Sequence, residues 1–204
     1  LEISIYLFIF SAEILGEINN FYGIIPHWDT CLHTINGFLA TAVGFSLVDL
    51  LNKNSKDIKL SLFYLCLVAF CFSMTIGILW EFFEYGGDKF MKFDMQKDTL
   101  ITNISSVYLN PDNVNKPIIV DNIGKTEIFD IDGKLLYAVD GGYLDIGLND
   151  TMKDLFVNFI GALVFSIFAY IGLKNNKKSS VVKKFVPTKE KRKIAESVKN
   201  SLEI

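Results

Sequence analysis

His27, Asp29 and His33 form a His-x-Asp-x-x-x-His run at the point where one long apolar stretch of the chain begins. Glu81, Glu84 and Asp88 close a second stretch, and Asp150, Asp154 and Asn158 open a third. Asp29 and His33 are spaced i, i+4 and so share one face of a helix, which Asn36 and Gly37 continue. Two imidazoles and a carboxylate are donors suited to Zn, Fe or Mn. Glu81, Glu84 and Asp88, at i, i+3 and i+7, put three like charges on one stripe, which calls for a cation, bound protons or histidines from a neighbouring helix. Asp150, Asp154 and Asn158 repeat at i, i+4 and i+8.

Each group also has a plainer explanation. Asp29 could cap its helix while the histidines sit in the membrane interface. The glutamates could mark a solvated helix end, Asp150 could cap the third helix, and Asp154 gains from the helix N-terminal dipole. Asn158 lies two turns inside, where it serves either helix packing beside Gly161 and Ala162 or the chemistry itself. Ionisable groups at membrane depth are costly, however, and three such groups at apolar boundaries point to one shared polar site.

The elements that must position these residues are apolar blocks at 30–50, 60–80 and 155–173. Half of the chain is hydrophobic, with 18 Phe, and the apolar residues come in blocks rather than at globular periods. A bilayer core of ~30 Å needs ~20 residues at ~1.5 Å each, and each block supplies them without an internal proline. A fourth run, 3–18, begins without an initiating Met or the basic flank of a signal peptide and is expected to be a helix whose start has been cut away. The predicted fold is an all-α polytopic membrane helix bundle, four helices in this fragment, with a small extracytoplasmic β-rich insertion. Its divisions are 1–88 (helices with the outer-face His/Glu cluster), 89–149 (insertion), 150–173 (final helix) and 174–204 (basic cytoplasmic tail).

Orientation follows from the lysines. Lys53, Lys56 and Lys59 crowd the 52–59 link, and the tail from Lys174 onward holds ten of the twenty Lys and Arg residues. The positive-inside rule makes both cytoplasmic, so 86–149 and every ionisable group named above fall at the outer face. Glu13 and Glu17, one turn apart, would join them there. Basic residues beside a span attract anionic lipid, and 192–202 could form a short amphipathic helix. Trp80 and Tyr85 suit the aromatic belt.

The 86–149 segment reads as β structure. Runs at 125–130 and 134–139 are joined through Ile131-Asp132-Gly133, a hairpin signal, and Asn110-Pro111-Asp112-Asn113 is a turn before strand-like 118–120. Asp130-Ile131-Asp132-Gly133 lacks the later Glu of a calcium loop and is a turn. Cys31, Cys66 and Cys71 lack metal or disulfide spacing and read as small apolar fillers. No glycine-rich phosphate loop, serine elbow or basic-aromatic nucleic-acid face is present.

The combination His27, Asp29, His33, then Glu81 and Glu84, then Asp150, Thr151, Asp154, Gly161 and Ala162 resembles the YjdF-like bacterial inner-membrane proteins over roughly 27–173. The resemblance implies an integral membrane protein with a clustered polar site, and further N-terminal sequence beyond this chain. It marks 105–147 as an insertion and carries no activity with it.

Three functions compete. The first is a metal-dependent hydrolase of an amphipathic or lipid-linked substrate. In it His27, Asp29, His33, Glu81, Asp88, Asp150 and Asp154 supply ligands, Glu84 is the general base toward the attacking water, and Asn158 is an oxyanion donor. The second is a proton- or cation-coupled transporter, which usually places its site nearer the midplane. The third is a non-catalytic scaffold whose insertion binds a protein partner of unstated kind. The orientation is directly testable: in intact cells, a single cysteine at position 113 of a chain freed of its native cysteines should be labelled by an impermeant reagent. Labelling only after permeabilisation would invert the topology.

Overall fold

The computed structural model describes residues 1–55 and 59–175, so Lys56 and the basic tail, with the amphipathic helix expected at 192–202, lie outside the described residues. The first run forms α1 (Glu2–Ile9), eight residues long, which continues as a nine-residue π-helix, Phe10–Ile18. A short α2 (Phe21–Ile24) leads to α3 (Trp28–Asn54), then α4 (Leu62–Gly86), extended by a π-helical turn at Gly87–Met91. Six short strands, β1 to β6, precede α5 (Leu148–Lys174). Among the described residues α3, α4 with its π extension, and α5 have the length and apolar content to cross a membrane. The run at 3–18 is helical but shorter. Glu13 and Glu17 are exposed in its π segment, where the four-residue spacing that would stack them on an α-helix does not hold.

All three long helices overrun their apolar blocks at the end that carries the ionisable residues. Helices α3 and α5 have 27 residues each and α4 has 25. At ~1.5 Å per residue each is about 40 Å long, enough for the hydrocarbon core and part of the headgroup region. This extra length turns Asp29, Glu81, Glu84 and Asp154 into helical residues. The expected Asp29 cap does not form: α3 is preceded by His27 in a left-handed conformation (φ 62°) without a side-chain cap.

The chain divides into two compact units, one of Leu1–Phe83 with Lys153–Ile204, the other Glu84–Met152. In the first, α3 and α5 run parallel and α4 runs antiparallel to both. Phe45 and Phe165 meet edge-on at 6.3 Å, and Phe38 meets Phe165 at 5.0 Å. Ala42, Ala69 and Ala169 complete that core with Leu65 and Cys66, so Cys66 is the buried filler expected, whereas Cys31 and Cys71 are exposed. Phe63, Phe82, Phe156 and Phe168 point outward, as on a surface meant for lipid. The Lys59 ammonium donates to the carbonyls of Asn52 and Ser55 (2.8 and 2.6 Å) and so closes the C-terminal end of α3.

The second unit holds three antiparallel pairs: β1 (Leu100–Ile101) with β6 (Tyr143–Leu144), β2 (Ile104–Ser106) with β3 (Ile118–Val120), and β4 (Lys125–Phe129) with β5 (Leu135–Asp140). The β4–β5 turn is built as the Asp-Gly signal requires. Asp130 Oδ1 accepts the N–H groups of Asp132 and Lys134 (3.0 and 2.8 Å), and Gly133 takes φ 81°. Asn110 organises the earlier turn, accepting from Asp112 N–H and donating to the Lys116 carbonyl.

Asp145 ties β6 to both β1 and the start of α5, accepting N–H bonds from Thr99 (2.8 Å) and Asn149 (2.9 Å). Partial burial raises its carboxyl pKa, but these donors outweigh burial and hold it below the usual carboxylate range. Asp98 goes the other way, pushed up by burial and by the Asp94 and Asp145 charges. A lowered folded value means that the Asp145 contribution is present above the unfolded value and is lost as pH falls through the folded one. Asp98 contributes with the opposite sign. The stability gap between wild type and Asp145→Asn, read as a difference in melting temperature, should therefore shrink as pH drops below about 4, where the protonated acid resembles the amide. A gap independent of pH would contradict this role.

Candidate metal centre

Two layers of side chains link the three long helices, and the inner layer sets the geometry of the outer. In the inner layer Gly37 of α3 abuts the Asn158 carbonyl of α5, and Gly161 of α5 abuts the Thr34 carbonyl of α3. A Cβ at either glycine would run into backbone. Gly77 of α4 leaves room for the Asn158 amide. Ser73 donates to the Gly37 carbonyl at 2.8 Å, Asn36 donates to Asn158 Oδ1 at 3.4 Å, and Asn158 Nδ2 faces the Ser73 carbonyl at 3.5 Å. Asn158 is 1% exposed. Its amide thus links three helices, which is the packing role.

One helical turn toward the N-terminal end of α3 lies the second layer. Four residues back from Gly37 is His33, four back from Asn158 is Asp154, and four on from Gly77 is Glu81. Because α3 and α5 are parallel and α4 is antiparallel, the three residues converge. Asp29 joins from one turn higher on α3. His33 Nε2 lies 3.4 Å from Asp29 Oδ1 and 3.9 Å from Asp154 Oδ2, and Nδ1 lies 4.0 Å from Glu81 Oε1. Asp154 is 2% exposed and Glu81 5%.

Asp29, His33 and Asp154 each offer a ligand atom within 4.8 Å of the others. A first-row ion bound at about 2.1 Å needs its ligands within about 4.2 Å of one another, so the side chains would draw in slightly. Asp29, Glu81 and Asp154 gather three carboxyl groups around one imidazole, and Lys153 adds a cation whose Nζ lies 3.8 Å from Asp29 Oδ2 and 3.7 Å from Asp154 Oδ1.

The remaining residues singled out from sequence have surroundings of their own. His27 is exposed at the start of α3. In the other unit, Asp88 accepts the N–H groups of Met95 (2.6 Å) and Gln96 (2.9 Å) with its two oxygens and so pins a chain reversal. It falls in the π-helical turn after Gly86, which breaks the 3.6-residue stripe shared with Glu81. Asp150 accepts the Lys97 N–H at 2.9 Å. Glu84 is buried, near the end of α4.

Sequence reasoning assigned no role to Lys153, Ser73 or Gly77. Lys153 could have been noticed as a cation beside Asp154, and Ser73, Gly77 and Glu81 as a small-to-polar stripe at i, i+4 and i+8.

Residues 1–175 match the family DUF2238, described as a predicted membrane protein, which agrees with the membrane family expected from sequence. No curated protein and no solved structure matches the chain.

Asn158→Ala should destabilise the protein in detergent by about 1–2 kcal/mol, since interhelical polar contacts in membranes measure about 0.6–1.7 and the substitution also leaves a gap. Thermal melting measures it. An unchanged midpoint would remove Asn158 from the helix junction.

Proposed function

The chain belongs to the DUF2238 family of predicted membrane proteins, and from that premise we propose that the cluster at Asp29, His33 and Asp154 binds a divalent metal, Zn, Fe or Mn, at the outer face of a bacterial inner membrane. In this reading α1 with its π continuation joins α3, α4 and α5 in a four-helix bundle. The β-rich insertion is extracytoplasmic, and the C-terminal tail is cytoplasmic with anionic lipid at its lysines. One observation carries the proposal: a single imidazole, about one-tenth exposed, has carboxylates from three different helices within about 4 Å. Asp29, His33 and Asp154 are the ligands. Glu81 is either a fourth ligand or the partner that orients His33 through Nδ1.

Such a centre suits hydrolysis of an amphipathic or lipid-linked substrate. The metal would supply a Lewis acid at the level of lipid headgroups, and three protein ligands leave coordination positions open. Glu84, buried one turn beyond Glu81 on α4, is the proposed general base, taking the proton from the attacking water.

The test is elemental analysis of purified protein before and after chelation. About one equivalent of metal should be present and should be lost in His33→Ala and Asp154→Asn, and chelation should lower the melting temperature. Stabilisation by a site-specific ligand is about 2.7 kcal/mol at a hundred times its dissociation constant. Metal at background level with a melting temperature indifferent to chelator would return the cluster to a structural or proton-carrying role.

A further inference from the structure

Each aspartate of the cluster uses its two oxygens differently. Asp29 Oδ1 and Asp154 Oδ2 face His33 Nε2, at 3.4 and 3.9 Å, whereas Asp29 Oδ2 and Asp154 Oδ1 face the Lys153 ammonium, at 3.8 and 3.7 Å. A positive charge therefore already stands beside the proposed ligands, bridging a carboxylate on its own helix and one on α3. Both separations exceed hydrogen-bond length, so these two contacts are ionic. The lysine side chain is 44% exposed, while Asp154 is 2% exposed. Its flexible four-carbon stem can carry the charge outward toward water, but the carboxylate cannot follow.

We propose that Lys153 is a tethered cation that an incoming metal must displace, and that it makes the site selective for divalent over monovalent ions. The proposal rests on the metal-binding reading of Asp29, His33 and Asp154. A monovalent ion that displaces the ammonium exchanges one unit charge for another and gains no Coulomb energy. It must also compete with a group whose tether gives it a high effective concentration at the carboxylates. A divalent ion doubles the charge at the same place and adds bonds to His33, which an ammonium cannot make. The lysine also weakens divalent binding, because residual repulsion between its charge and the metal persists unless it swings fully clear.

Lys153→Met, which keeps length and removes charge, is the direct test, with Lys153→Gln as a second neutral variant and Lys153→Arg as the charge-retaining control. The purified full chain, stripped by chelator, is titrated with Zn²⁺ alone by calorimetry at low and at high sodium. Both neutral variants should bind Zn²⁺ about tenfold more tightly than wild type at low sodium. They should lose that advantage at high sodium, while wild type and Lys153→Arg respond little. If wild type binds Zn²⁺ and the neutral variants, melting as wild type does, bind equally or more weakly, the tethered-cation role is wrong and the metal centre stands. If neither wild type nor the neutral variants bind Zn²⁺, the metal centre itself falls and this inference with it. Zn²⁺ binding by the neutral variants alone would support both.

Discussion

The rest of the structure depends on the close approach of α3 and α5 at Gly37 and Gly161. Each glycine faces a backbone carbonyl of the other helix, with no space for a Cβ. Between helices in lipid the hydrophobic effect supplies no drive, because the surrounding tails are as apolar as the side chains. Association then falls to close packing and polar contacts. Two glycines supply the first, and the Ser73, Asn36 and Asn158 contacts the second. Together they set not only the distance between α3 and α5 but their register, and register decides what meets one turn further out.

That outer turn is where His33, Asp154 and Glu81 converge. With a repeat of 3.6 residues, positions four apart stay on nearly the same face about 6 Å along the axis. Once Gly37 is opposite Asn158 and Gly77 beside it, His33, Asp154 and Glu81 have little freedom to be anywhere else. A slip of one residue between α3 and α5 would rotate the imidazole away from the carboxylates and push the glycines off their facing carbonyls. The same contact therefore sets both the packing of the helices and the convergence of the cluster.

Residues of one chemical type have been put to opposite uses in the two units. Asp88, Asp130, Asp145 and Asp150 each give their oxygens to backbone N–H groups at turns and helix ends, which is local work that any short carboxylate can do. Asp29 and Asp154 instead have an imidazole and an ammonium as neighbours. Their neighbours are cationic or titratable side chains, the kind of surroundings on which the proposed metal reading rests. For Asp154 the difference is one of surroundings: a loop surrounds an aspartate with spare amides, whereas an α-helix beyond its first turn has none to spare.

Hydrophobic block length alone determined the three long helices, because a span that must satisfy all its own hydrogen bonds in lipid can only be helical and must be about twenty residues long. The Asp-Gly and Asn-Pro-Asp signals determined two turns of the insertion for an equally local reason, the φ values and side-chain acceptors those turns require. Helical spacing placed Asp29 with His33, and the apolar boundaries placed both near Glu81 and Asp154. It also grouped Asp88 with Glu81 and His27 with His33; a π-helical turn holds the first and an exposed left-handed conformation the second, and neither feature can be read from spacing. Only the tertiary structure decided which acids face the imidazole, that Asn158 packs, and that Lys153 stands between two carboxylates. Those outcomes depend on the register between helices far apart in sequence, which is set by where backbones can touch.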